Sequence, residues 1–79
     1  MENAKDLFKM TIKSNIKLMK DADTLNFLTA IYHESMGAIH LALNLDIIDT
    51  EEMKQSVDAV VSEYATRLPA VIKKENENK

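Results

Sequence analysis

The sequence has no cysteine and no tryptophan, and its 79 residues include one glycine, one proline, two tyrosines and two phenylalanines. Without cysteine, neither a disulfide nor a thiolate metal site can staple the fold, and a reducing cytoplasm is the expected setting. One glycine and one proline are too few turn formers for a β-rich fold. No apolar run approaches the roughly 20 residues needed to cross a bilayer. The start, Met1-Glu2-Asn3-Ala4-Lys5-Asp6, does not have the pattern of a secretion signal, a basic start followed by an apolar block. The expectation is a cytoplasmic protein without membrane contact.

The same absences bear on chemistry. A phosphate-cradling loop needs several glycines, and a serine elbow needs glycines around its nucleophile; the chain has neither. His33 and His40 are seven residues apart, about 10.5 Å along a helix, too far to share one ion. His33-Glu34 is followed by Ser35, Met36 and Gly37, so the zinc-protease spacing is missing. Glu51 and Glu52 are adjacent and diverge by about 100° on a helix, so they do not converge as a catalytic pair. Asp46, Asp49 and Glu51 read as turn and cap residues, not as a calcium loop. The sequence therefore predicts no enzyme, no metal and no cofactor.

What is present is helical periodicity in three segments, which predicts an all-α, small three-helix bundle with short connections. Residues 1–72 form its single helical domain and 73–79 a disordered polar tail. In the first segment, Asn3 to Lys20, Leu7, Leu18, Ala4, Phe8, Met19, Ile12 and Ile16 share one half of the wheel. Lys5, Lys9, Lys13, Lys17 and Lys20 fall within about 120° on the other, with Met10 exposed beside them and, with Tyr32, a candidate sticky patch. Asp23 or Thr24 opens the second segment, Leu25 to Leu45, whose apolar residues cover more than half its circumference and place it at the centre. Asp49 and Glu52 form a capping box for the third, with Ile47 and Ile48 plugging the core end. That helix runs from Thr50 to about Arg67 with Met53, Val57, Val60, Val61, Tyr64 and Leu68 inward, and Pro69 should stop or kink it.

Charge is divided along the chain. Residues 1–20 carry five lysines against Glu2 and Asp6, a local +3; the remainder carries five basic against eleven acidic side chains, a local −6. The stripe of Lys5, Lys9, Lys13 and Lys17 is a candidate anion-binding face. It has no arginine for bidentate recognition, and the chain as a whole is acidic, so a solvated face paired with acids of the third helix is the stronger reading. A helix-turn-helix over residues 38–58 fails, because its second helix would present Glu51, Glu52, Gln55 and Asp58 to phosphates. The acids of the third helix are too few to argue strongly for a nucleic-acid mimic.

The second helix carries a different signal. Asn26, Ala30, His33, Gly37, His40 and Asn44 recur at heptad seam spacing with no full charge among them. Gly37 costs about 1 kcal/mol relative to alanine inside a helix, a cost often offset where another backbone approaches. Asn26, His33, Gly37, His40 and Asn44 are thus a candidate interface. The functional expectation is a small accessory or regulatory protein-interaction module, associating as a homodimer and acting on a protein partner. The alternative is a nucleic-acid-associated regulator using the lysine face.

Overall fold

Each helix begins where a short polar side chain can accept from the orphan amides of a first turn. The protein, described by a computed structural model over residues 3–77, is an all-α three-helix bundle: α1 Ala4–Lys20, α2 Leu25–Asn44 and α3 Thr50–Glu77. Asn3 Oδ1 accepts from the Asp6 amide at 2.8 Å and Thr24 Oγ1 from the Phe27 amide at 3.1 Å. Asp49 and Glu52 close a reciprocal capping box at 2.8 and 3.1 Å. The box agrees with the local sequence signal, and of the two candidates for the start of α2 the cap is Thr24, not Asp23.

α2 ends in a Schellman turn. The Ile47 amide donates to Ala42 O at 2.8 Å and the Asp46 amide to Leu43 O at 3.1 Å. This geometry needs a left-handed residue, and Asp46 supplies it at φ 58°. Glycine is the usual occupant, and aspartate pays a steric penalty there. Ile48 then turns into the core and Ile47 half into it.

The core is formed by Phe8, Ile12 and Met19 of α1, Leu28, Ile31, Ile39 and Ala42 of α2, and Val60 and Val71 of α3, closed at the loops by Ala22 and Ile48. Fully buried Met19, Leu28, Ile39 and Val60 each contribute about 1.5–3 kcal/mol of hydrophobic stabilisation. One polar pair lies within this core. Asn15 Nδ2 donates to Ser35 Oγ at 3.0 Å, and Ser35 Oγ donates to Ile31 O at 2.7 Å. Because both residues are buried, this pair pins α1 against α2 at one register.

Val61, expected inward on the third helix, sits at the edge of its apolar stripe and is exposed, and two further expectations need correction. The third helix does not stop near Arg67; it passes through Pro69 and reaches Glu77. Pro69 lacks a donor, which frees the carbonyl of Ala65, but both residues are exposed and water can satisfy that group. Contacts beyond the proline then hold the last two turns. Val71 is fully buried, Lys74 Nζ lies 2.7 Å from Asp23, and Glu75 Oε1 accepts from the Leu25 amide at 2.6 Å. The stretch read as a disordered tail, 73–79, is therefore helix over 73–77; residues 78 and 79 lie outside the described residues. The second correction concerns Tyr32. It is half-buried, with its ring stacked on Tyr64 at a centroid distance of 4.4 Å, so it does not form an exposed patch with Met10.

Candidate protein-contact surface

Helix α2 places its functional candidates by period alone. Leu28, Ser35, Ile39 and Ala42 point to the core. Asn26, His33, Gly37, His40 and Asn44 occupy the opposite strip and are all exposed. The structure thus brings the five together as one line along the back of α2. A Cβ built on Gly37 would meet nothing within 4 Å. No close approach among the described residues explains the glycine.

Beside that strip lies a surface that the periodicity of single helices did not reveal. Leu7 and Leu18 are eleven residues apart on α1, and Phe27 and Leu45 eighteen apart on α2, whole numbers of turns in both cases. Each pair therefore lies on one line along its helix. Leu7, Ala38, Leu41 and Leu45 line one groove between α1 and α2, so the two lines open on the same side of the helix pair. Leu7, Leu41 and Leu45 remain 51, 59 and 60% exposed. Among the described residues, six of the eight exposed large hydrophobic side chains, namely Leu7, Met10, Leu18, Phe27, Leu41 and Leu45, belong to α1 or to α2 and its C-cap. A helical wheel gives the direction of the apolar half of α1 but not the width of its burial: the buried arc is only Phe8, Ile12, Asn15 and Met19.

Charge is nearly absent from this side. Among the twenty residues of α2, Glu34 is the one carboxylate, and there is no lysine or arginine. Glu34 stands seven residues after Phe27 and seven before Leu41, inside the apolar line. Between Leu7 and Leu18, the same side of α1 offers Thr11 and Ser14, both uncharged.

The lysines of α1 divide into two groups. Lys5 Nζ lies 3.1 Å from Glu52 and Lys20 Nζ 3.9 Å from Glu63, both acids of α3. Lys9, Lys13 and Lys17 are exposed and form no ion pair among the described residues. At the far end of the bundle, Arg67 donates twice to Ala22 O, at 3.0 and 2.7 Å, and lies 3.7 Å from Asp23. Its neighbour Lys74 holds Asp23 below the usual carboxylate value, chiefly by its hydrogen bond and then by its charge. These contacts clamp the α1–α2 loop onto α3.

Among the described residues no three His, Asp or Glu side chains converge to hold a metal ion, and no helix is long and apolar enough to cross a membrane. Fold and surface together define a three-helix bundle with a charge-poor, apolar outer side. Comparison with known protein families, curated proteins and solved structures finds no match for this chain.

Proposed function

We propose that this chain is a small cytoplasmic accessory or regulatory module that acts by binding a protein partner, without catalysis of its own. The carrying observation is the outer side of α1 and α2, where Leu7, Leu18, Phe27, Leu41 and Leu45 are exposed around a single carboxylate, Glu34. Apolar side chains gathered with so little charge resemble the centre of a protein interface more than ordinary solvated surface. The Asn26, His33, Gly37, His40 and Asn44 strip borders this side and would supply the polar rim.

The test is a comparison of baits from one extract of the source cell. Proteins retained by the wild-type chain should be lost on Leu41→Glu and kept on Val61→Glu, which alters the exposed side of α3. Identical capture by wild type and Leu41→Glu would overturn the reading.

A second reading, a nucleic-acid-associated regulator, is favoured by one observation: Lys9, Lys13 and Lys17 extend from α1 without a partner acid among the described residues. The surrounding charge opposes it, since the chain carries a formal −3 and the stripe has no arginine.

A further inference from the structure

From the area and composition of the outer α1–α2 side, we propose that its occupant is a second copy of this chain, seated face to face across a two-fold axis. This rests on the protein-binding reading and names the partner. From Phe27 to Leu45, α2 runs about 27 Å, and two helices side by side span about 20 Å. The projected footprint, about 540 Å², comes close to the low end of the roughly 600–1,000 Å² per partner that a stable interface buries.

Composition favours a copy over an unlike partner. A two-fold contact sets a surface against itself, so any dense single-sign charge would repel its own image. This side meets that condition everywhere except at Glu34, since Thr11 and Ser14 separate the leucines of α1 and α2 holds no cation. The unpaired lysines, Lys9, Lys13 and Lys17, lie on the outer flank of α1, away from the groove. A 79-residue chain has little core of its own, and joining two such faces adds apolar burial that neither copy achieves alone. Glu34 is then the one feature that opposes association, because two copies bring two carboxylates into the same apolar contact. This yields an unusual sign: removing that charge should tighten the dimer, whereas for a basic partner the same change would weaken binding.

Sedimentation equilibrium of the full chain over about 5–500 µM tests it. The wild type should associate to a dimer. Glu34→Gln should lower the dissociation constant by about threefold or more, and Leu41→Glu should raise it by about thirtyfold, the loss expected of an interface hot spot. Helicity should be unchanged in both, since each position is exposed. Leu7→Ser gives a second, milder probe of the same groove, and Val61→Glu on α3 should leave the dimer intact. A wild-type monomer at the highest concentration overturns the proposal, while the bait comparison above can still succeed with another protein. A dimer broken by Val61→Glu but not by Leu41→Glu, or weakened by Glu34→Gln, overturns it as well.

Discussion

Glu75 Oε1 accepts the backbone N–H of Leu25 at 2.6 Å, so a side chain near the end of α3 satisfies an orphan amide at the start of α2. Together with Arg67 on Ala22 O and Lys74 on Asp23, it fastens the last turns of α3 to the first interhelix connection. Glu75→Ala should cost about 0.5–2 kcal/mol, the range for loss of a helix-start acceptor. Val71→Ala, about one turn beyond Arg67 and fully buried, should cost about 2 kcal/mol. Urea unfolding followed by helical circular dichroism checks both. Unchanged midpoints would mean that residues 70–77 contribute nothing to the fold.

The Asn15–Ser35 pair should behave as a buried polar unit. Ser35→Ala leaves Asn15 Nδ2 without its acceptor and should cost about 1–3 kcal/mol. Adding Asn15→Leu should recover much of that loss, since both polar partners are then gone. A double-mutant cycle by chemical denaturation measures the coupling.

Two backbone positions should accept stabilising changes. Asp46 holds a left-handed conformation that glycine adopts freely, so Asp46→Gly should gain about 0.5–1 kcal/mol. Gly37→Ala should gain a similar amount from helix propensity, because the added Cβ meets nothing among the described residues. Thermal unfolding at low micromolar concentration, where association contributes least, is the appropriate readout.

Asp23 provides the acid-side signature. Its carboxyl is held below its ordinary value of 3.8 by the Lys74 hydrogen bond and charge. A depressed folded-state value contributes stability above the ordinary pKa and loses it as the pH falls through the folded one. Asp23→Asn should therefore lower the melting temperature slightly at neutral pH, and the gap to wild type should close below pH 3.8. Both groups are exposed and screened, so the effect is small and should shrink further in salt.

The lysine face separates the two functional readings. A protein-contact module predicts no shift of duplex DNA even at low salt. Recognition by Lys9, Lys13 and Lys17 predicts binding whose logarithm falls with log salt at a slope of about −2.7, one counterion term for each of three phosphates. A gel shift across a salt series decides it.

Local features of the fold were legible in the sequence because they depend on near neighbours. Thr24 before α2 and the Asp49/Glu52 box before α3 act within three residues, and helix periods placed the Asn26–Asn44 strip away from the core. Long-range features were not legible. Glu75 meets Leu25 across fifty residues and Arg67 meets Ala22 across forty-five, and those contacts carry the helix past Pro69. A helical wheel also gives the direction of burial without its width. Leu7 and Leu18 share the apolar half of α1, yet α2 and α3 cover only a narrow arc, which leaves these leucines outside and brings Asn15 in. Asn15 was discoverable: with Phe8, Ile12 and Met19 it forms a buried series at steps of four, three and four.

The most direct test of the outer α1–α2 side as a protein contact is a dilution series of amide nuclear magnetic resonance spectra of the unmodified chain. Over about a hundredfold change in concentration, the account predicts shifts that concentrate at Leu7, Leu18, Phe27, Glu34 and Leu41 and spare α3 beyond Val57. Spectra that do not change with concentration, or changes that centre on Val61 and Ile72, would contradict it.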